Sequence, residues 1–183
     1  MPLNLSMRIL VAITGASGIA YGRRLAEVLR KGKHEVSVVV SSGAKKVADA
    51  EGERLPKADI GEFDFSSLFA SGSNCADAVI VCPCSLKTLG EIANGVGNSL
   101  ITRAAEVSLK ERKGLVLVVR ETPLSLIAIK NMERVTLAGG VILPACPGFY
   151  HKPKKVGDLV DFVVGKTLDQ IGVKNELFKR WKA

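Results

Sequence analysis

The sequence predicts an α/β fold built on one doubly wound, mostly parallel sheet. Three observations predict it. Short apolar, β-branched stretches recur along the chain, and stretches whose apolar residues repeat about every 3.6 positions separate them. No internal repeat, low-complexity linker or second apolar block interrupts this alternation over the 183 residues. Alternating strands and helices favour parallel strands with right-handed crossovers, so we expect a single domain over residues 1–183.

The first strand-to-helix unit runs from Arg8 to Leu29. Its apolar strand leads into a tight Gly-Ala-Ser-Gly turn at 15–18, where Ser17 adds a hydroxyl at the start of a helix. The N–H groups of such a turn, together with the positive end of the helix, favour binding of an anion such as phosphate. The glycines stand at 15, 18 and 22 rather than in G-x-G-x-x-G spacing, which favours a mononucleotide phosphate over NAD. A capped helix in an ordinary α/β domain is the alternative.

The later elements follow the same alternation. We predict strands at 35–41, 77–82, 114–120 and about 140–143, and helices that reach Glu51 and Ala93 and span 99–112, 124–137 and 156–171. The third strand is expected to stop at Cys82, because Pro83 follows and cannot donate to the ladder. Residues 52–74 are less regular and are predicted to form a lid or a subunit contact.

Polar or small residues follow four of the predicted strands. They are Ser17, Ser41, Ser85 with Thr88, and Arg120 with Glu121. The carboxyl ends of parallel strands meet at one edge of the sheet, and open α/β sheets bind ligands there. Hydroxyl groups and backbone donors without a Walker sequence or an acidic magnesium motif suit the phosphate and ribityl chain of a flavin. Lys and Arg would then neutralise any leaving phosphate.

Composition narrows the function classes. The net charge is +8, but aromatic residues make up only 5% and the basic residues are spread along the chain. We therefore favour a phosphate-handling pocket and a solvated basic surface over nucleic-acid binding. No apolar run approaches the roughly 20 residues of a membrane helix. MPLNLS lacks a signal-peptide pattern, Met7 is a candidate natural start, and the four cysteines suit reduced thiols in the cytoplasm.

Four segments together resemble the UbiX-type flavin prenyltransferases. They are TGASG at 14–18, CPCSLKTLGEIANG at 82–95, LKERKGLVLVVRETPLS at 109–125 and PACPGFYHKP at 144–153. The resemblance implies a Rossmann/flavodoxin-like three-layer sandwich and a metal-independent transfer of a dimethylallyl group from dimethylallyl monophosphate to N5 and C6 of reduced FMN. It also implies a homododecamer with sites at subunit contacts, and a UbiD-type decarboxylase that receives the prenylated FMN.

The resemblance further assigns functional residues. The residues matching the FMN site are Gly15, Ala16, Ser17, Ser41, Ser85, Leu86, Lys87, Thr88 and Arg120. Those matching the prenyl phosphate site are Arg103, Lys110, Tyr150 and Lys166. Glu51 and Glu121 match acids near the reacting centre, and Trp181, in the tail 172–183, matches an aromatic that helps to close the site. Many relatives carry Arg where this chain has Lys166, and lysine loses the bidentate fork on phosphate.

Physical reasoning leaves some roles open. Lys110 and the other cations would stabilise the phosphate that leaves when the allylic C–O bond breaks. The later bond to C6 needs a base, either Glu121 or the released phosphate, with Ser17 and Glu51 assisting the proton's movement. Ser17 could instead only cap a helix, and Arg120 could simply pair with Glu121. The rival functions are an FMN carrier or regulatory subunit, and a flavin-dependent cysteine decarboxylase, which relies on a histidine after the second strand.

Overall fold

The computed structural model describes residues 6–182. The strands are β1 Arg8–Ile13, β2 Glu35–Val40, β3 Ala78–Cys84, β4 Gly114–Val119 and β5 Val141–Pro144. The α-helices are α1 Ile19–Lys31, α2 Ser42–Glu51, α3 Leu86–Ala93, α4 Leu100–Lys110, α5 Leu126–Leu137 and α6 Val156–Gln170. All neighbouring strands pair in parallel, in the order β2-β1-β3-β4-β5 of flavodoxin-like sheets. The predicted fold class is confirmed.

The two faces of the sheet pack against different helices. Side chains of β1 alternate between them, with Ile9 and Val11 in one core cluster and Leu10 and Ala12 in the other. Helices α1 and α6 pack against the first face, and α3, α4 and α5 pack against the second. Helices α4 and α6 therefore lie on opposite sides of the sheet.

Strand β3 is longer than the sequence predicts, and the prediction that it stops at Cys82 is wrong. Pro83, which follows a cis peptide bond, lies inside the strand, and the pairing with β4 shifts register between Val81 and Cys84. The irregularity accommodates a residue without an N–H. Cys82 and Cys84 are fully buried, and burial raises the pKa of both thiols. The other element boundaries lie within about two residues of those predicted.

Residues 52–74 run along the outer edge of β2 and include two short 3₁₀ helices, Leu68–Ala70 and Gly72–Asn74. The Asp59 N–H donates to the Val38 carbonyl at 2.8 Å, and Ile60 forms a bridge with Val39. The segment then reaches the start of α4. It covers an edge that would otherwise expose unpaired backbone groups.

The start of the chain is partly described. Residues 1–5 of the stretch 1–7, expected to be disordered or upstream of the natural start, lie outside the described residues, as does Ala183. Ser6 and Met7 already contact the domain. The Ser6 hydroxyl donates to the Lys33 carbonyl at 2.7 Å, and Met7 packs against the first core cluster.

The tail after α6 packs back along that helix. Phe178 is buried in the first core cluster, and the Arg180 guanidinium donates to the Asp169 carboxylate at 2.8 Å. The pKa of Asp169 is lowered chiefly by this hydrogen bond. Within residues 6–182, no helix combines the length and the apolar character that crossing a bilayer requires.

Candidate functional site

A cleft of about 470 Å³ opens at the carboxyl edge of the sheet, where β1, β2, β3 and β4 end. Its lining contains most of the predicted flavin residues: Gly15, Ser41, Ser85, Leu86, Lys87 and Thr88, together with Glu121. Small-molecule pockets typically measure about 300–1,000 Å³. The structure therefore brings three strand-to-helix junctions and the segment after β4 into one ligand-sized space.

Gly15 lets the floor of the cleft close tightly. A Cβ atom on Gly15 would lie 3.0 Å from the carbonyl carbon of Gly43, in the first turn of α2, so a side chain there would push the two backbones apart. A Cβ atom on Gly43 would meet Gly15 at 3.5 Å, an ordinary van der Waals distance. The close approach of the turn after β1 to the start of α2 therefore depends on the missing side chain of Gly15.

Ser85 caps α3 and is itself held in place. Its hydroxyl accepts from the Thr88 N–H at 3.3 Å and donates to Thr88 Oγ1 at 3.1 Å. Its own N–H donates to Thr14 Oγ1 at 2.9 Å, and the Thr14 hydroxyl donates to the Pro83 carbonyl at 2.8 Å. Within this network the Thr88 hydroxyl proton has no acceptor, so the pair presents one O–H donor to the cleft.

Ser41 plays the equivalent part at α2. Its hydroxyl accepts from the Ala44 N–H at 3.0 Å, and the residue is only 8% exposed. Since that bond uses a lone pair, the O–H proton stays available to a ligand. Capping and ligand binding are thus compatible roles for Ser41 and for Ser85.

The start of α1 differs from the prediction. Its N-cap is Gly18 at φ 98°, without a side-chain cap, and Ser17 does not cap the helix. The carboxylate of Glu51, the last residue of α2, instead accepts from the N–H groups of Gly18 at 2.7 Å and Ile19 at 3.1 Å. The anion that the turn was expected to bind is therefore supplied, at these two N–H groups, by the chain itself.

The ionisation of Glu51 follows from this position. Partial burial alone would raise its pKa. Hydrogen bonding by the Ser17 hydroxyl and by the Gly18 and Ile19 N–H groups, together with the charge of Arg120, outweighs burial and lowers the pKa of Glu51. Glu51 is consequently a carboxylate at neutral pH that binds the first N–H groups of α1, and it is not a strong base.

Arg120 and Glu121 do not pair with each other in the part of the chain that the structure describes. Arg120 Nε is buried and lacks a hydrogen-bond partner there. Glu121 accepts from the Thr122 N–H at 3.1 Å through one oxygen and lines the cleft. A buried guanidinium nitrogen without an acceptor is unfavourable unless a ligand supplies one. This orphaned donor fits an anionic or carbonyl-bearing ligand beside Glu121.

The residues predicted for the prenyl phosphate site do not meet within one chain. Arg103 and Lys110 lie on α4, whereas Lys166 lies on α6, across the sheet. Lys110 ends α4 just before β4 begins at Gly114, so it lies at the amino edge of the sheet, opposite the cleft. The nearest carboxylates are Glu106 for Arg103 at 2.9 Å, Glu111 for Lys110, and Asp169 for Lys166 at 3.8 Å.

Tyr150 and Trp181 belong to an aromatic cluster outside the cleft lining. Their rings meet edge to face at 5.3 Å, and Tyr150 also contacts His151 and Phe162. Trp181 is 67% exposed. The tail therefore packs on α6 and Tyr150 in a single chain and does not close over the cleft.

Sequence reasoning missed several residues of the cleft, of which Thr14, Lys46 and Glu62 carry the most chemistry. Thr14 positions Ser85, while Lys46 and Glu62 line the side next to β2. A strand-end threonine in T-G-A-S-G could have been noticed, because it directly precedes the turn. Nothing in the spacing of Glu62 marks it, since the segment 52–74 has no periodic pattern.

The depression beside the C-terminal tail is a weaker candidate, because it lacks the hydroxyl groups of the cleft. It is open, measures about 770 Å³ and lies beside Asp169 and Arg180 at the far end of α6. Across residues 6–182, no group of three or more His, Cys, Asp or Glu side chains could hold a metal ion.

Sequence comparison identifies similar proteins along nearly the whole chain. The family model described as Flavoprotein matches residues 3–168. Flavin prenyltransferase UbiX of Methanocaldococcus jannaschii is 46% identical over 182 residues, which cover 96% of this chain and 98% of that protein.

Solved structures agree with the sequence comparison. AnUbiX (PadA1), crystallised with FMN and dimethylallyl pyrophosphate, superposes with a TM-score of 0.93 at 42% identity, covering 98% of this chain and 99% of that one. A dodecameric FMN-dependent Ubix-like decarboxylase from Escherichia coli O157:H7 superposes with a TM-score of 0.90 at 37% identity, covering 97% and 100%. Both similarities extend over nearly the whole chain.

Proposed function

This chain belongs to the flavoprotein family and, within it, to the UbiX flavin prenyltransferases, and we propose that it transfers a dimethylallyl group from dimethylallyl monophosphate to reduced FMN. The observation that carries the proposal is the cleft in which hydroxyl groups from separate strand ends lie beside Glu121. Reduced FMN supplies two nucleophilic atoms, N5 and C6, and the product is prenylated FMN.

The residues present fit a flavin. The hydroxyl protons of Ser41 and Thr88 can donate to phosphate or ribityl oxygens, and the Gly15–Gly43 approach leaves backbone open to the cleft. The buried Arg120 Nε needs an acceptor beside Glu121. A polar flavin ring edge or the donor's phosphate would satisfy it.

The leaving phosphate needs cations. When the allylic C–O bond breaks, its electron pair leaves on the phosphate, and a positive allyl group remains to be captured by the flavin. Arg120 lines a neighbouring pocket that shares Glu121 with the cleft. We propose that Arg103, Lys110, Tyr150 and Lys166 join it where copies of the chain meet, since α4 holds Arg103 and Lys110 across the sheet from Lys166 within one copy.

The proton lost from C6 needs a base. Glu51 is committed to the start of α1 and has a lowered pKa, so it accepts protons poorly. Glu121 lines the cleft and has one carboxylate oxygen without a hydrogen bond among the described residues. We therefore assign the base to Glu121, with Ser17, next to the Gly18 N–H that Glu51 binds, assisting the proton's movement.

The surface supports assembly of such shared sites. Helix α5 exposes Leu126, Ile127 and Leu137 at 70%, 75% and 82%. An apolar face of this kind is typical of a subunit contact. We propose a homododecamer with catalytic sites at its subunit contacts, and transfer of prenylated FMN to a UbiD-type decarboxylase. The free thiols of Cys75 and Cys146 suit a reducing compartment, and we propose the cytoplasm.

Two other functions fit less well. An FMN carrier needs no second group of phosphate-binding cations, which leaves Lys110 and Lys166 unexplained. The flavin-dependent cysteine decarboxylases rely on a histidine after the second strand, and residues 41–51 of this chain contain none. Peptidyl-cysteine decarboxylase EpiD superposes with a TM-score of 0.63 at 15% identity, a likeness of fold alone.

The test is a mass measurement. Purified protein is incubated without oxygen with FMN, a reductant and dimethylallyl monophosphate, and the flavin is extracted and weighed. A gain of one C5H8 unit supports prenyl transfer, and a reaction without the donor is the control. Bound FMN that stays unmodified with the monophosphate and the diphosphate would favour the carrier.

A further inference from the structure

The cleft has two unlike ends, and the proposed function, on which this inference rests, orients a flavin between them. Glu121, beside β4, forms one end, and Ser41, Lys46 and Glu62, beside β2, form the other. The isoalloxazine ring must lie next to the reacting residue Glu121. Its phosphoribityl tail therefore runs across β3 and β1 toward the outer strand β2.

Glu62 fastens the β2 end of the cleft. Its carboxylate Oε2 accepts from the Ser42 N–H at 2.7 Å, and its main-chain carbonyl accepts from the Leu100 N–H at 2.8 Å. One residue of the segment 52–74 thus links the start of α2 to the start of α4. Both helix starts contribute residues to the lining of the cleft.

The second oxygen of Glu62 is chemically open. Among residues 6–182, Glu62 forms no ion pair, and Oε1 has no hydrogen-bond partner. Another acid of the lining, Glu91, by contrast pairs with Lys87 at 3.2 Å, and the Asn98 amide donates to the same oxygen, Oε1, at 3.0 Å. A partly buried carboxylate oxygen without a donor can accept a hydrogen bond from an O–H or N–H group of a ligand.

We propose that Glu62 is a flavin-contacting residue whose Oε1 accepts a hydrogen bond from a ribityl hydroxyl, while Lys46 attracts the phosphate beyond it. The ribityl chain carries neutral O–H donors, which match a carboxylate acceptor. Lys46 lies four residues after Ser42, about one helical turn along α2, and forms no ion pair in the described part of the chain. The negative charge of Glu62 therefore favours the ribityl hydroxyl groups at its side of the cleft, and the positive charge of Lys46 favours the phosphate.

The test uses flavins of decreasing length. Dissociation constants of oxidised FMN, riboflavin (no phosphate) and lumiflavin (no ribityl chain) are measured by fluorescence quenching for the wild type, Glu62→Gln, Lys46→Gln and the control Asp59→Asn. Asp59 lies on the same segment as Glu62 and its carboxylate accepts from the Val38 N–H at 2.8 Å, but it does not line the cleft. Glutamine keeps an oxygen for the Ser42 N–H, and thermal unfolding checks that the fold is retained. We expect Glu62→Gln to raise the dissociation constant of riboflavin about tenfold and that of FMN by no more than this. The dissociation constant of lumiflavin should stay unchanged.

Lys46→Gln is expected to weaken the binding of FMN alone, and Asp59→Asn is expected to leave all three dissociation constants unchanged. Equal weakening of the three flavins by Glu62→Gln would overturn the ribityl contact and leave Glu62 as a wall residue. Tighter FMN binding with unchanged riboflavin would also overturn it, because the phosphate would then be the group next to Glu62. Wild-type protein that binds no flavin would instead refute the proposed function itself.

Discussion

Glu51 and Gly18 join the end of one helix to the start of another, with Glu51 Oε1 2.7 Å from the Gly18 nitrogen. The same carboxylate accepts from the Ile19 N–H, so the last residue of α2 serves as the N-terminal cap of α1. The negative charge lies at the positive end of the α1 dipole. This contact ties together the two helices that follow β1 and β2, and it holds the turn that carries Ser17.

Replacing Glu51 by alanine is expected to cost about 1 kcal/mol of stability at neutral pH, the usual cost of losing a helix cap. The pKa of Glu51 is lowered in the folded protein, so its contribution is present above the unfolded pKa of about 4.3 and is lost as pH falls through the folded pKa. Urea unfolding at neutral and acid pH measures this. Asp49→Ala, on the same helix, is the control, and a pH-independent difference for Glu51→Ala would contradict the mechanism.

Ser85→Ala is expected to lower both stability and flavin affinity. The hydroxyl caps α3, and its loss costs about 0.5–2 kcal/mol while freeing Thr88 from its fixed position in the cleft. Ser125 is a matched control, because it caps α5 in the same way, through the Ala128 N–H at 3.2 Å, but does not line the cleft. Ser125→Ala should lose comparable stability with unchanged FMN affinity by fluorescence titration. Parallel loss of affinity in both variants would reduce Ser85 to a structural cap.

The fold and the hydroxyl-bearing edge could be predicted because both depend on local patterns. Apolar periodicity identifies the strands and helices, and parallel connections bring strand ends to one edge, so Ser41 and Ser85 had to lie at the same edge of the sheet. The path of β3 through Pro83 could not be predicted, because it depends on the neighbouring strand shifting register. A proline in a sequence shows only the missing N–H.

The contacts of Glu51 and Glu62 could not be predicted from the sequence for a different reason. Glu51 binds N–H groups more than thirty residues earlier, and Glu62 binds an N–H about twenty residues earlier. Such pairings follow from how segments pack, and no spacing rule encodes them. The residues predicted for the prenyl phosphate site pose a different problem. The resemblance groups Lys110 with Lys166, although a single chain places them on opposite sides of the sheet. A site that used both residues would have to form between copies of the chain.

Lys166→Arg is expected to strengthen binding of the prenyl donor. Lys166 is half-buried and lies 3.8 Å from Asp169, so its ammonium is a weakly held point charge. A guanidinium can grip phosphate through two hydrogen bonds, which should lower KM for dimethylallyl monophosphate about threefold. Initial rates against donor concentration measure this, with Lys174→Arg as the control. FMN affinity should stay constant, and an unchanged KM for the donor would place Lys166 outside the phosphate site.

The separation of Lys110 from Glu121 makes a shared site directly testable. Lys110 lies at the amino edge of the sheet and Glu121 at the carboxyl edge, so one active site must take them from different copies. Lys110→Ala and Glu121→Gln assemblies are each expected to be nearly inactive. Mixed assemblies, formed by co-expression with two different tags and purified through both, should regain prenyl transfer, because some sites combine an intact Lys110 with an intact Glu121.

A double variant carrying both changes in one chain, co-expressed with wild type, controls for the dilution of active copies by inactive ones. Mixed assemblies that stay as inactive as either parent would show that both residues act within a single copy, or that Lys110 takes no part in the reaction.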